Sequence, residues 1–170
     1  AFADYVFVHE FGHHFAALAD EYYTSDVAYE TGAADLPEPW EMNVTALKDP
    51  ANPKWKELVE AGTPLPTPWS KDAFEKASRE FQARRKALLA KGVPPSEIDA
   101  LFREQQKAEA AFFAKERFAG KVGAFEGAAY EAKGLYRSSA DCIMFTRTTG
   151  GFCPVCRKAI EKVIDSYARP

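Results

Sequence analysis

The sequence predicts a mainly α-helical protein with irregular loops, on one observation of spacing and two of composition. Apolar residues recur at three- and four-residue intervals near the start of the chain, in 70–119 and in 154–167, which is typical of amphipathic helices. Between the first two of these regions, 24–69 contains seven prolines and three tryptophans, which exclude any long element. Hydrophobic residues make up 46% of the chain, enough to bury a core.

Length and charge exclude several functional classes. The 170 residues have the usual size of one domain, and 22 basic against 25 acidic residues give a net charge of -3. This balance gives no global positive field for nucleic acid. Charged residues interrupt every apolar run well before the roughly 18 residues of a membrane span. The first eight residues do not form a signal peptide and no initiator Met is present, so we expect a piece of a longer or processed protein.

A helical hairpin is predicted over 70–119. Ser70 is suited to begin its first helix, and the turn sequence Gly92-Val-Pro-Pro95 ends it. Ser96, with Asp99 three residues later, predicts the start of the second helix. Charges of both signs alternate along the hairpin, which favours a solvated surface, with a partner-binding coiled coil as the alternative.

The remainder of the chain is rich in glycine and ends in one more helix. Six glycines between 120 and 151 predict tight turns and close backbone approaches. From Pro154 to Tyr167 the spacing predicts an amphipathic helix whose inward residues are Val155, Ala159, Val163 and Ile164.

The strongest chemical signal is the motif His9-Glu10-Phe11-Gly12-His13. Residues four apart on a helix lie on the same face, so the imidazoles of His9 and His13 can reach one metal ion. Glu10 lies about 100° round the helix, where it can take a proton from water. Zinc suits two imidazole ligands and lowers the pKa of bound water to about 7. The alternative is a pair of core histidines.

A catalytic zinc needs a third protein ligand. Asp20 lies seven residues after His13, too far along a continued helix, so it is a ligand only if the chain turns back near 16–18. Glu21 and the distant Glu126 are the alternatives. His14 points away from His13 and is expected to pack or form hydrogen bonds.

Three cysteines lie near the C-terminus at Cys142, Cys153 and Cys156. An odd count allows one disulfide, and we expect Cys142 to bridge one of the other two, with free thiols as the alternative. A structural zinc site normally has four ligands, and the local sequence supplies no fourth.

Ordered motifs along most of the chain resemble the bacterial IgA-peptidase-like zinc metallopeptidases, metallopeptidase family sixty-four, which is grouped with the metzincins. The resemblance is carried by HEFGHHFAALADEYY from His9, PWEMNVT from Pro39, Trp55-Lys56, GTPLPTP from Gly62, GAFEG from Gly123, GLYR from Gly134, DCIM from Asp141 and FCPVC from Phe152. The hairpin at 70–119 carries none of these motifs and is expected to be an insertion.

The resemblance implies one catalytic zinc ion, bound by His9, His13 and Asp20, with Glu10 as the general base. It implies that Met144 occupies a Met-turn, forming an apolar floor under the metal. Cys142 adjoins this turn, so a disulfide, which we assign to Cys142 and Cys153, would tie the turn to the closing helix.

Two departures from the family pattern affect these expectations. Metzincins place Gly where the active-site helix ends, and this chain has Ala16-Ala17. Positive φ at alanine costs about 1 kcal/mol or more, so we expect the turn to avoid positive φ or to lie elsewhere. Metzincins also have an upstream sheet, and only eight residues precede His9, so 1–170 is interpreted as a catalytic domain that lacks it.

The expected function is zinc-dependent endopeptidase activity on polypeptide substrates. The fold implied is the C-terminal portion of a metzincin-like α/β (α+β) peptidase, secreted or periplasmic by resemblance. Candidates for oxyanion stabilisation are Tyr22, Tyr23, Tyr136 and Arg137; Thr146 stands where some metzincins have Tyr. The alternative is a non-catalytic zinc-binding or protein-interaction module derived from a peptidase.

Overall fold

The computed structural model describes residues 2–24 and 36–168. Within these ranges the chain forms four α-helices and a small antiparallel sheet, so the fold is mixed α and β. The elements are α1 (Ala3–Ala16), β1 (Val44–Thr45), α2 (Lys71–Ala90), α3 (Pro95–Phe113), β2 (Phe125–Ala128), β3 (Glu131–Arg137) and α4 (Pro154–Ala168). A 3-10 turn lies at Lys56–Leu58, within the proline-rich region for which the sequence excludes a long element.

The sheet was not predicted, because its three strands are short and a glycine interrupts both β2 and β3. The strand order is β1-β3-β2, and β3 pairs antiparallel with both neighbours. A two-residue turn joins β2 to β3, and both of its residues have positive φ, 48° at Ala129 and 68° at Tyr130. Such turns match the twist of a hairpin but favour Asn and Gly, which neither position has.

The predicted helical hairpin is confirmed as two helices, α2 and α3, joined by a turn at Gly92 with φ of 64°. The second helix begins one residue earlier than expected, with Pro95 in its first turn, so Ser96 lies within the helix. Phe74 and Phe113 are buried and anchor the base of the hairpin in the core. They contact Phe145, with ring centroids 5.1 and 5.9 Å away.

The closing helix α4 lies against α1. Val155 and Ala159 are buried as predicted, but Ile164 is 50% exposed, so the expected inward stripe ends before the last turns. In the described part of the chain, no helix is both long and apolar enough to cross a membrane.

Candidate metal centre

The helix α1 brings its two motif histidines together on one face. The Nε2 atoms of His9 and His13 are 3.1 Å apart, and the ring centroids are 4.8 Å apart. His9 is buried and His13 is partly exposed. This follows from the four-residue spacing, which places the rings one above the other.

Backbone carbonyls orient both imidazole rings. His9 donates from Nδ1 to the carbonyl of Ile143 at 2.9 Å, and His13 donates from Nδ1 to the carbonyl of Leu18 at 2.6 Å. A carbonyl only accepts, so each Nδ1 carries the hydrogen and each Nε2 of the neutral ring presents a lone pair. The same arrangement orients histidine ligands in metal sites.

The chain reverses immediately after α1, at Ala17. This residue adopts the left-handed region, with φ of 50° and ψ of 42°. Its N–H donates to the carbonyl of His13 at 3.0 Å, and the N–H of Leu18 donates to the carbonyl of Gly12 at 3.2 Å. The expectation that this turn avoids positive φ or lies elsewhere is therefore wrong: an alanine takes the strained conformation where a metzincin has glycine.

The reversal brings the carboxylate of Asp20 to the imidazoles. Its Oδ1 lies 3.0 Å from Nε2 of His9 and 3.1 Å from Nε2 of His13. Glu21 faces a different part of the core, and Glu126 lies on β2, where its carboxylate binds Lys71. Of the three carboxylates that the sequence left open, the structure places Asp20 beside the histidines.

Tyr130 holds the other oxygen of this carboxylate. Its hydroxyl donates a short hydrogen bond to Oδ2 of Asp20, and it also contacts the hydroxyl of Tyr22 at 3.1 Å. Backbone N–H groups of Ala129 and Tyr130 donate to the carbonyls of Asp20 and Tyr22, which docks the β2–β3 turn on this segment. Tyr130 was missed by the sequence reasoning, because it lies 110 residues from Asp20 and belongs to no local motif.

Asn43 fixes the backbone next to Asp20. Its side chain accepts from the N–H of Ala19 and donates to the carbonyl of the same residue, both at 2.9 Å. Asn43 is fully buried, so these bonds are shielded from water. The position of Asp20 is thus determined from both sides, by its side chain and by its backbone.

The donor set fits a divalent metal ion. Two imidazole lone pairs and one carboxylate oxygen form a triangle with edges of 3.0 to 3.1 Å. Ligand atoms of a tetrahedral zinc ion are about 3.3 Å apart, so a small outward shift of the three side chains would accommodate one.

The pKa values of His9 and Asp20 are shifted in opposite directions. Burial lowers the pKa of His9, but the Asp20 carboxylate and the Ile143 carbonyl outweigh it and leave that pKa raised. Burial raises the pKa of Asp20, but hydrogen bonds from His9 and Tyr130 leave it lowered. The two shifts arise largely from the contact between His9 and Asp20, and the lowered pKa keeps the carboxylate ionised and able to bind a cation.

Met144 lies in a tight turn below α1. The N–H groups of Phe145 and Thr146 donate to the carbonyl of Cys142, and Met144 itself is fully buried. A Cβ on Gly12 would stand 2.9 Å from Sδ of Met144, so the glycine of the motif permits this close contact. The turn also supplies the Ile143 carbonyl that orients His9.

Glu10 and His9 line a cavity of about 380 Å³, whereas His13 and Asp20 are not among its lining residues. His9, Glu10 and Tyr22 form one side, and the hairpin forms another through α2 and α3. The hairpin is therefore more than a solvated surface, because it faces the HExxH helix across this cavity. Its contributions are Phe74, Ser78, Phe81, Gln82, Arg85, Phe102, Gln105 and Glu109.

Most of the predicted oxyanion donors lie away from the cavity. Tyr22 lines it, whereas Tyr23 is buried against Phe145. Tyr136 is on β3, outside the cavity lining. Arg137 is fully buried and donates to the backbone carbonyls of residues 126, 127 and 140. Arg147, which the sequence reasoning did not consider, does line the cavity.

Two further expectations concern residues outside the histidine cluster. His14 is exposed on α1 and does not pack in the core. All three cysteines are buried free thiols, so the expected disulfide between Cys142 and Cys153 is not formed.

An HExxH helix whose histidines meet an aspartate beside an open cavity is the arrangement of a metallopeptidase site. The family comparison agrees, because residues 1–164 match the family described as IgA Peptidase M64. The chain belongs to this peptidase family, as the resemblance predicted. A comparison with curated proteins found no match.

Proposed function

We propose that the chain is the catalytic part of a zinc-dependent endopeptidase. The observation that carries this proposal is the triangle of His9, His13 and Asp20 ligand atoms, next to Glu10 on the wall of a cavity. Zinc bound there would supply a Lewis acid for the scissile carbonyl and a source of hydroxide at neutral pH.

Glu10 is the proposed general base. It follows His9 on α1, is exposed and faces the cavity rather than the core. Its carboxylate would accept a proton from the attacking water and then deliver it to the nitrogen of the leaving amine. Both transfers need a carboxylate that reaches the substrate without being tied to other side chains in the core.

Tyr22 is the proposed donor to the developing oxyanion. Its hydroxyl lies at the cavity, 3.1 Å from the hydroxyl of Tyr130. Because Tyr130 uses its hydrogen for Asp20, the hydrogen of Tyr22 points to Tyr130 and can be redirected to substrate. A hydroxyl placed in this way stabilises charge that develops only in the transition state.

We further propose that the hairpin at about 70–119 is an insertion that forms a wall of the substrate cleft. Aromatic rings and the guanidinium groups of Arg85 and Arg147 line the cavity between the hairpin and α1. Such a mixture of apolar surface and a few polar groups is typical of pockets that select a side chain. The substrate would be a polypeptide, with immunoglobulin A as one candidate from the description of the family.

The metzincin-like architecture and the extracellular or periplasmic location are also proposals. The outer face of α1 supports an additional layer of structure, since Val6, Phe7 and Phe11 are 50%, 73% and 40% exposed. Exposed apolar patches of this kind mark surfaces that another segment covers. The sheet that metzincins have upstream of this helix would supply such a cover.

Replacement of Glu10 tests the proposal. Glu10→Gln should retain zinc and lose at least about 100-fold in hydrolysis of casein or immunoglobulin A, because the proton acceptor is gone. Glu161→Gln, on an exposed part of α4, is the matched control and should keep full activity. Hydrolysis by Glu10→Gln at the control rate would contradict the role of Glu10.

A His9→Ala, His13→Ala double variant tests whether hydrolysis depends on metal bound at this site. It should lose both zinc from this site and hydrolysis. A protein that binds zinc through these residues and cleaves neither substrate would favour the non-catalytic module instead.

A further inference from the structure

A second group of potential ligands lies in the core, apart from the histidines. It consists of Cys142, Cys153, Cys156 and Glu21, and the ligand atoms of all four lie within 4.8 Å of one another. All four residues are buried, with 0% exposure for Glu21 and at most 5% for the cysteines. Three thiols and a carboxylate equal the four ligands of a structural zinc site.

The carboxylate of Glu21 lacks a sufficient set of partners. Its Oε1 accepts from the side-chain amide of Asn43 at 3.0 Å and contacts Sγ of Cys156 at 3.5 Å. Its Oε2 is buried and has no hydrogen-bond partner within the described ranges. An unpaired carboxylate oxygen in a core is costly, so a cation at this position would remove a substantial penalty.

A single disulfide would not account for the cluster. Sγ of Cys142 lies 3.7 Å from Sγ of Cys156. The backbone N–H of Cys153 donates to Sγ of Cys142 at 3.3 Å. Any bridge between two of the sulfurs would leave the third thiol and Oε2 of Glu21 without a function. A metal ion would use all four groups together.

Groups around the cluster already orient its sulfurs and its carboxylate. Ser138 contacts Sγ of Cys153 at 3.3 Å, the N–H of Cys153 donates to Sγ of Cys142, and Asn43 holds Oε1 of Glu21. Hydrogen bonds of this kind to sulfur and carboxylate ligands are the usual surroundings of a metal site. They leave Oε2 as the free oxygen.

We propose that Cys142, Cys153, Cys156 and Glu21 bind a second zinc ion, with a structural role. The four ligands come from three segments: the turn that contains Met144, the start of α4 and the chain after α1. Burial on all sides leaves no open position for substrate, which distinguishes this closed site from a catalytic one. The ion would fix the side chain of Glu21. The N–H of Glu21 donates to the carbonyl of Met144 at 2.8 Å, so the ion would also stabilise the segment that contains Asp20.

Metal content and thiol count together test the proposal. The protein, purified without chelator, should contain two zinc ions per chain by elemental mass spectrometry. The His9→Ala, His13→Ala double variant should retain one, and Cys153→Ser should lose one. Glu21→Gln should weaken zinc retention against a chelator by at least 10-fold, with Glu161→Gln as its matched control.

Wild-type protein gives a test that does not depend on the folding of variants. Under denaturing conditions without reductant, three titratable thiols should appear after zinc is chelated, and cobalt substitution should give a sulfur-to-cobalt charge-transfer band. One zinc per chain that disappears with the two histidines would overturn the proposal. A single titratable thiol, with a mass lower by the two hydrogens of a disulfide, would overturn it as well.

Discussion

Asp20 and Glu21 are adjacent in the chain, but their carboxylates belong to two different clusters of metal-binding groups. Asp20 points to the imidazoles of α1, and Glu21 points to the three cysteines. The N–H of Glu21 donates to the carbonyl of Met144. The segment Asp20-Glu21 is therefore bound to the turn that contains Met144, and it supplies a ligand to each cluster. A shift of the segment would therefore disturb both groups of ligands.

The hydroxyl of Tyr130 should strengthen metal binding without touching the metal. Tyr130→Phe removes the hydrogen bond to Oδ2 of Asp20 and leaves the aromatic ring in place. Loss of such a supporting bond typically reduces metal affinity by about 10- to 100-fold. We expect that decrease in a competition titration with a zinc chelator, with unchanged secondary structure.

Tyr136→Phe is the matched control for this measurement, because Tyr136 lies on the same strand pair and outside the cavity lining. Equal zinc affinity of the two variants would show that the bond between Tyr130 and Asp20 does not support the metal.

The left-handed alanine after α1 should be a point of stored strain. Ala17→Gly removes the steric conflict of Cβ at a φ of 50°. The strain relieved in the folded state is larger than the entropic cost of the more flexible glycine in the unfolded chain. The free energy of unfolding should therefore rise by about 1 kcal/mol or less. Urea denaturation of the metal-free protein measures this change directly.

Ala16→Gly, one residue earlier, should have the opposite effect on the free energy of unfolding. Ala16 ends α1 in helical conformation, where glycine should lower the free energy of unfolding by about 0.5–1 kcal/mol. If both substitutions destabilise equally, the turn at Ala17 is not strained in solution.

The histidine face could be predicted because it depends only on local geometry. The four-residue spacing of His9 and His13 fixes their common side on any helix. The position of Asp20 required a reversal that the sequence disfavours, since alanine has no preference for positive φ. The prediction that Asp20 is the third ligand came from the need for such a ligand and from family resemblance.

The contacts of Tyr130, Asn43 and Glu21 could not be predicted in the same way. Tyr130 meets Asp20 across 110 positions, and Glu21 meets Cys156 across 135. No periodic pattern records such pairs, because each depends on how the β2–β3 turn and α4 pack on the segment after α1. The sequence analysis set a cysteine metal site aside because no fourth ligand lies near the cysteines in sequence. Glu21 reaches them only through the fold.

Glu109 should make stability depend on pH. Burial raises the pKa of this carboxyl to about 7 in the folded protein, above its usual value of 4.5. Folding thus favours the protonated form, so its stabilising effect is complete below pH 4.5 and is lost as the pH rises through 7. Between pH 5 and 8, the wild type should lose about 1–2 kcal/mol relative to Glu109→Gln, allowing for partial exposure of the side chain.

Urea denaturation at several pH values measures this difference, with Glu97→Gln on the exposed surface of the same helix as the control. A constant difference between wild type and Glu109→Gln over this range would contradict the assignment of the raised pKa.

The hairpin wall should control substrate preference rather than catalysis. Arg85 lies on α2, lines the cavity and stands 5.6 Å from the ring centroid of Phe102. Arg85→Ala would enlarge the cavity and remove one positive charge, while the histidines and Glu10 stay unchanged. We expect zinc content to be maintained and the ratio of kcat/KM between acidic and apolar peptide substrates to shift at least about 10-fold toward the apolar ones. Arg103→Ala, on the exposed surface of α3, is the control. Equal substrate preferences in both variants would mean that the hairpin does not contact the bound peptide, and a uniform loss across all substrates would instead indicate a change in α1 or its ligands.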